Sequence, residues 1–498
     1  AHKFLMEDVL RGEWGFEGHY VSDCWAIRDF HENHKVTKNS TESAALALNT
    51  GCDVNCGCTY EYILDALREG LITEEAIDRS LIRLFTTRFL LGMFEPCEYD
   101  EIGYSEVESK EHIKLAKKAA RKSIVLLKNN GILPLDVTKL NSIGVIGPNA
   151  NSRASLIGNY HGTSSRYVTV LEGIQKVCDK NDIRVHYSDG SHLFKERVEN
   201  LAFDDDRISE AVIVAKNSDV VVLVVGLDET LEGEEGDTGN SYASGDKETL
   251  NLPASQMRMI ETLEAVGKPI ILINMTGSAM DLAFAKNNDT YGAILQAWYP
   301  GCMGGKAIAD ILFGKISPSG KLPVTFYNSL DELPDFEDYS MKGRTYKYME
   351  HPAQYPFGFG LTYANVEMTG ASLENEENAK SLIKSDNVYD GSISVRANIK
   401  NTSGIKTDEV VQVYIKNHNS EYAVRNHSLC GFKRVGLDAF EEKEVTINIP
   451  SRAFMVVNEE GKYIQDGDKF TLYVGVSQPD EVSVSLCKVN PLKIEINL

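Results

Sequence analysis

The period of the hydrophobic positions changes twice along this chain, and each change predicts a different architecture. Up to about residue 105, helical and strand-like stretches alternate. The opening HKFLMEDVLRGEWGF reads as a helix already under way. His19-Tyr20-Val21 is a short β-prone run, bounded by Gly15 and Gly18 and closed by Ser22-Asp23. Thr41 to Leu48 (TESAALAL) predicts a helix, GCDVNCG a second short strand ending near Asp53, and Tyr60 to Gly70 and Thr73 to Leu91 two amphipathic helices. Thr73 opens the last of these with Glu74 and Glu75 in its first turn, and Gly92 stops it. These are two β/α units of a parallel architecture, too few to close a barrel by themselves.

From near Glu111 the pattern becomes continuous apolar runs separated by polar turns. HIKLAKKAARKSIVLLK predicts a helix running to Asn129-Asn130-Gly131. Ser142 to Ile146, Val220 to Val225, Ile270 to Ile273 and Ala293 to Trp298 suit strands covered on both faces, with helices over Ala254 to Val266 and Gly304 to Gly314, as in a doubly wound sheet. From about Gly370 the texture shifts again. ISVRANIKNTSG, EVVQVYIKN, KEVTINIP and KFTLYVGVS alternate apolar and polar residues with no convincing helix between them, which predicts a β-sandwich of immunoglobulin or fibronectin III type. The fold class is therefore multidomain α/β plus all-β. Its expected domains are 1–105, holding the last two β/α units of a TIM-like barrel, 106–365, an α/β sandwich, and 366–498, the β-sandwich.

Composition narrows the partners. With 498 residues the chain has room for roughly three domains. A net charge of −22 repels phosphate backbones and anionic membrane surfaces, so neither nucleic acid nor membrane is an expected partner. No apolar run reaches the ~20 residues that span a bilayer. Nine cysteines form a low, odd-numbered set, which argues against a disulfide framework and leans the location toward the cytoplasm. Cys52, Cys56 and Cys58 lie close together, but no second Cys or His pair stands at zinc spacing, so they read as buried thiols with no metal. The turn GPNAN after Ile146 lacks the G-x-G-x-x-G fingerprint and its acidic ribose ligand, which argues against a dinucleotide. No cofactor is expected.

Two stretches carry chemistry. Asp23 fits badly inside a strand but well at its carboxyl mouth, where α/β barrels keep their reactive groups. The rival reading is an Asp that caps the following helix. The second stretch is Gly226 to Pro253, a long Gly- and Ser-rich loop after a central strand, with carboxylates at Glu229, Glu232, Glu234, Glu235 and Asp237. It is either a solvated acidic loop or a ligand site at the end of an open sheet. One carboxylate at each place is the minimum set for glycoside hydrolysis, with one attacking the anomeric carbon and the other protonating the leaving oxygen.

The order of these landmarks resembles glycoside hydrolase family 3. GFEGHYVSDCWAI resembles the family's nucleophile motif, which ends in Ser-Asp. GCDVNCG, RFLLGMF, LLKNNGILPL, IGVIGPNAN, AWYPGCMGGKAIADILFGKISPSGKLPVTF and YPFGFGLTY come next in the family's order, and NTSGIKTDEVVQVYI with LCGFKRV resembles its fibronectin III-like domain. The chain is similar to the C-terminal two-thirds of a member. The resemblance implies that Asp23 is the nucleophile and that Glu234, in Glu232-Gly233-Glu234, is the acid/base, with Glu235 and Glu232 as alternatives. Ser22 and Trp25 become candidate substrate contacts, although Trp25 fits a core position equally well. Cys24, GCDVNCG, LIGNYHGT and MKGRTYKYMEHPAQYPFGFGLTY lean toward the β-xylosidase-like branch.

The resemblance further implies a retaining exo-β-glycosidase acting on terminal β-D-xylosyl or β-D-glucosyl residues of oligosaccharides. The front of the barrel, with the residues that grip the glycone, is not in this sequence. The alternative is therefore an inactive fragment serving as a sugar-binding or structural module. Expected partners are a small glycoside, the missing N-terminal barrel segment, and a second copy of the chain.

Overall fold

A computed structural model describes residues 2–234, 247, 249–384 and 391–498. The chain divides into two compact units, one up to Val107 and the other from Glu108 onward.

The first unit is mostly helical. Phe4–Glu13 winds as a π-helix. It is followed by α1 (Ala26–Glu32), α2 (Ser40–Asn49), α3 (Ile63–Arg68) and α4 (Glu74–Leu90). Asn39 and Thr73 cap α2 and α4 by accepting from the backbone N–H groups of Glu42 and Ala76. A small core joins Ala45, Leu48, Ala66, Ile72 and Ala76. The two expected strands shrink to a single parallel bridge between Val21 and Val54. A pair of strands without further neighbours is marginal, and among the described residues these two segments have only each other. The cysteine reading also needs correction, because Cys24 and Cys56 form a disulfide. The count of nine hid it, since seven thiols stay free. Cys58 is exposed rather than buried. The disulfide also removes the thiol-based argument for a reducing compartment.

The second unit contains α5 (Lys110–Ser123), β1 (Val125–Asn129), β2 (Ser142–Ile146), α6 (Val170–Cys178), β3 (Arg184–Ser188), α7 (Ile208–Lys216), β4 (Val220–Gly226), α8 (Ala254–Glu264), β5 (Ile270–Met275), α9 (Ala283–Lys286), β6 (Tyr291–Gln296) and α10 (Gly304–Leu312). The strands form one six-stranded sheet in the order β1-β6-β5-β4-β2-β3, parallel except for β1. The helix expected to run to residue 128 ends at Ser123, and its IVLLK tail becomes β1. Ile124 to Leu127 are all fully buried, an environment a helix end cannot offer to four consecutive apolar residues but a sheet edge under cover can. Core clusters lie on both faces, one around Ile143, Val222 and Ile308, the other around Leu223, Ile260 and Leu272. Helices α6 and α10 touch through glycines: a Cβ on Gly305 would stand 1.8 Å from the Thr169 carbonyl oxygen.

The chain winds from β2 outward to β3, then returns to β4 on the other side of β2. The sheet therefore reverses direction between β2 and β4, and a crevice opens beyond their carboxyl ends. After a one-turn α11 (Thr345–Tyr348), the β-sandwich is built from β7 (Val366–Leu373), β8 (Ser392–Asn401), β9 (Thr407–Asn417), β10 (Ser428–Leu437), β11 (Glu442–Pro450), β14 (Lys469–Gly475) and β15 (Leu492–Asn497), with β12 (Val456–Val457) and β13 (Tyr463–Ile464) pairing at its margin. Its sheets run β10-β9-β14-β15 and β11-β8-β7, and alternate residues such as Val395, Ile399, Val413 and Leu472 fill the space between. Two helices absent from the sequence expectation, α12 (Glu376–Ile383) and α13 (Glu481–Cys487), sit in its connections. Buried polar bonds join the sandwich to the segment that carries the six-stranded sheet: Lys321 and Glu409 form a pair at 2.8 Å, and Gln412 donates to the Gly358 carbonyl at 2.9 Å.

Candidate active site

In the first unit, Asp23 lies in a loop that is tied down on every side except its own carboxylate. Ser22 N–H donates to the Val54 carbonyl, and Trp25 N–H to the Cys56 carbonyl at 2.8 Å. The Ser22 hydroxyl accepts from Cys56 N–H at 3.0 Å and from the Asn55 amide at 3.3 Å. Trp25 adopts a left-handed backbone, φ 65°, that a bulky residue avoids unless its surroundings impose it. Arg28 stacks over its ring at 4.7 Å. Against this bracing, the exposed Asp23 carboxylate receives, among the described residues, only the N–H of its neighbour Cys24, at 2.8 Å. It does not cap α1, whose N-terminus follows Trp25 and has no side-chain cap. The carboxylate borders a largely apolar hollow of about 330 Å³ shared with Tyr20, Ser22 and Phe30.

Asp53, noted in the sequence only as the end of a strand, is the hub that holds this loop's foundation. Its Oδ2 accepts from Arg11 and from Tyr20 N–H, both at 2.9 Å, and its Oδ1 from Ser80 at 2.8 Å and Arg83 at 3.3 Å. Four donors around a buried carboxylate satisfy it fully and join the π-helix, the Val21 bridge and α4. Beside it, burial pushes the Tyr60 phenol far upward, next to Cys52.

In the second unit, the acidic loop leaves the carboxyl end of β4. Gly226 lies so close to β5 that a Cβ would sit 2.0 Å from the Met275 carbonyl oxygen. Asp228 closes a tight turn by accepting from Thr230 N–H at 2.9 Å, and Leu231 anchors it in the core. Glu232 then turns inward. Its Oε2 accepts from Gly277 N–H at 2.7 Å and from the Tyr299 hydroxyl at 2.5 Å, its Oε1 accepts from the Ser278 hydroxyl, and Lys247 Nζ stands 3.7 Å away. Burial, and then the Glu232 carboxylate, drive the Tyr299 phenol strongly upward. Burial lowers Lys247, with Glu232 opposing. Two residues further on, Glu234 is exposed to solvent. Glu229 pairs with His161 at 3.0 Å. Glu235 and Asp237 lie outside the described residues.

Of the three glutamates weighed from sequence, the two within the described residues differ in character. Glu232 is a committed acceptor that fastens the loop to the ends of β5 and β6, while Glu234 is presented outward from that fastening. Among the described residues no group of three or more His, Cys, Asp or Glu is arranged to hold a metal.

Comparison with known proteins shows the family. The Glycosyl hydrolase family 3 N terminal domain matches residues 1–87, the Glycosyl hydrolase family 3 C-terminal domain residues 124–363, and the Fibronectin type III-like domain residues 409–478. The chain belongs to glycoside hydrolase family 3. Within family 3 it is 31% identical to a beta-xylosidase of Formosa agariphila over 95% of this chain and 65% of that protein. It is 30% identical to the periplasmic beta-glucosidase of Salmonella typhimurium over 96% of this chain and 64% of that one. A solved family 3 exo-beta-xylosidase in complex with a xylobiose aziridine activity-based probe is 26% identical with a TM-score of 0.84, covering all of this chain and 64% of the other. The chain therefore spans about 65% of the length of the relatives it matches. Sequence reasoning missed three side-chain partners of Glu232: Lys247, Ser278 and Tyr299. They come from separate segments with no shared spacing, and only the fold assembles them.

Proposed function

We propose that the whole protein is a retaining exo-β-glycosidase releasing terminal β-D-xylosyl or β-D-glucosyl residues, with Asp23 as nucleophile and Glu234 as acid/base. The observation that carries the reading is the contrast at Asp23: a loop braced by backbone and Ser22 hydrogen bonds, holding an exposed carboxylate whose one hydrogen bond among the described residues is local. The names of the family 3 relatives support the substrate class. In the first step an Asp23 oxygen attacks the anomeric carbon, the glycosidic C–O bond breaks, and Glu234 gives its proton to the leaving oxygen. In the second, Glu234 takes a proton from water, the hydroxide oxygen bonds the anomeric carbon, and Asp23 leaves. Such double displacement works with carboxyls about 5–5.5 Å apart.

The reading includes three structural assignments. Residues 1–105 form the closing part of a (β/α)8 barrel, supported by the parallel Val21–Val54 bridge and the match of the N-terminal family domain. Residues 106–365 are the α/β sandwich and 366–498 the fibronectin III-like domain. Trp25 supplies an aromatic wall beside the reacting sugar, and Ser22 keeps the loop in place. The deciding experiment is Asp23→Gly in the whole protein, assayed on an aryl β-xyloside with and without azide. Turnover falls by ~10⁴ or more, and azide restores part of it as a glycosyl azide of inverted anomeric configuration. Unchanged turnover removes Asp23 from the mechanism.

A further inference from the structure

The six-stranded sheet and the β-sandwich meet along a seam, and one hollow in that seam runs against the charge of the molecule. It encloses about 380 Å³. Lys118, Arg121 and Lys122 reach it from the last turns of α5, Lys315 from the turn after α10, and Lys406 and Asp408 from the start of β9. Five cationic side chains thus surround one carboxylate, in a chain whose net charge is −22.

The carboxylates nearby do not neutralise the set. Lys122 takes Asp408 at 2.9 Å, and Lys406 takes Asp438 at 2.6 Å. Buried Asp310 is already bonded to Arg121 and Lys306 when Lys315 approaches it at 3.9 Å. Lys118 makes no ion pair among the described residues. Beneath them the Arg434 guanidinium adds a further positive charge while donating to the carbonyls of Ser319 at 3.0 Å and Lys122 at 3.2 Å. Lys118, Arg121 and Lys122 also sit at the carbonyl end of α5, where the helix dipole tolerates cations without carboxylate partners. Hydroxyls of Ser317 and Thr407, 2.9 Å apart, line the same wall and provide neutral hydrogen-bonding groups.

The volume is at the lower end of the range for small-molecule sites, enough for one sugar ring or a phosphomonoester. At ~0.1 M salt the Debye length is ~10 Å, so the potential in the hollow is set by these neighbours and not by the distant surface charge. We propose that this hollow is a binding site for a small oxyanion-bearing ligand, a phosphate or a sugar carboxylate, clamped between α5 and β9. Its occupation would tie the sandwich to the sheet, independently of any hydrolytic activity.

The test is calorimetric titration of the 498-residue chain in ~50 mM salt with three probes: inorganic phosphate, glucuronate and neutral xylose. Saturable binding of one or both anions at ~1:1, with xylose silent, is expected. Phosphate alone assigns the site to phosphoryl groups; tighter glucuronate assigns it to acidic saccharides. The exposed pair Lys118→Ser/Lys315→Ser should weaken binding at least tenfold while circular dichroism and the unfolding midpoint stay unchanged. If that variant fails to fold, Lys406→Ser, whose side chain is also exposed, serves in its place with the same expectation. Absence of saturable binding by both anions, equal binding of xylose, or anion binding that a folded variant leaves intact overturns the proposal.

Discussion

Replacing Glu232 by glutamine tests whether this residue fastens the acidic loop. Glutamine keeps one oxygen and converts the other acceptor into an NH₂ donor. The better of its two orientations leaves oxygen toward Gly277 N–H and the Tyr299 hydroxyl and turns NH₂ toward Ser278 and Lys247. One charge-assisted hydrogen bond is then lost, worth about 1.5–3 kcal/mol, and a largely buried ammonium loses its counter-charge. Since Lys247 retains some contact with solvent, about 3 kcal/mol is expected in total, which is roughly a hundredfold in the local opening equilibrium. Hydrogen exchange followed by mass spectrometry on a peptide covering residues 270–281 reads that opening directly, because the Gly277 amide is one of the bonds concerned. A second substitution, Lys247→Met, made on top of Glu232→Gln, should recover most of the protection, since removing both members of a pair is far milder than stranding one. Exchange at Gly277 that is unchanged in Glu232→Gln, or a double variant as labile as the single one, would refute the fastening role. Under the proposed mechanism the same substitution lowers kcat by tenfold or more through the position of Glu234, with the unfolding of the β-sandwich unaffected.

Four further outcomes are expected. Gly305→Ala forces α10 away from the Thr169 carbonyl, a clash that no rotamer relieves, and should destabilise the second unit by about 3 kcal/mol in urea titration. Lys321→Ala strands Glu409 in the seam and should cost about 3–5 kcal/mol, whereas Lys321→Met with Glu409→Gln should recover much of it. Burial pushes the Cys430 thiol up to about 12 and the Cys178 thiol up to about 11, so at pH 8 Ellman's reagent should label exposed Cys58 ahead of both, and reduction before labelling should add two thiols from the Cys24–Cys56 bridge to the denatured count. Burial lowers His427, so above about pH 6.5 it is neutral in both states and contributes nothing to pH dependence. Below that the unfolded chain takes a proton the native site refuses, and stability falls with pH until the native group titrates; His427→Asn should flatten this part of the profile.

Much of the fold was legible because it rests on local pattern. Ser142 to Ile146 and Val220 to Val225 are continuous apolar runs that only a sheet covered on both faces can use, and both strands stand where the pattern put them. Thr73 announced the start of α4 by supplying the cap itself. The failures share a cause. Val125–Asn129 follows a strong helix without a breaker, and its conversion to a strand depends on β6, more than 160 residues later, offering an open edge. The Cys24–Cys56 bridge depends on two loops meeting, which spacing does not encode. At the candidate site, the acidic residues were visible as residues, but their division of labour was not. Glu232 and Glu234 are chemically identical in the sequence, and only Tyr299, Ser278 and Lys247 distinguish them.

The antiparallel strand β1 also brings the two ends of a module together. Leu361 N–H donates to the Leu126 carbonyl at 2.9 Å, forming a bridge across the point where the polypeptide first joins the six-stranded sheet. Entrance and exit are therefore adjacent, a cassette whose ends could be spliced together and reopened at another surface turn. A permuted version closed between residues 124 and 363 and opened at Gly267, a turn residue with open space around it, should keep its sheet order. The same geometry lets the segment be opened at another turn while its strands keep their neighbours, with the buried Lys321–Glu409 pair still tying it to the sandwich.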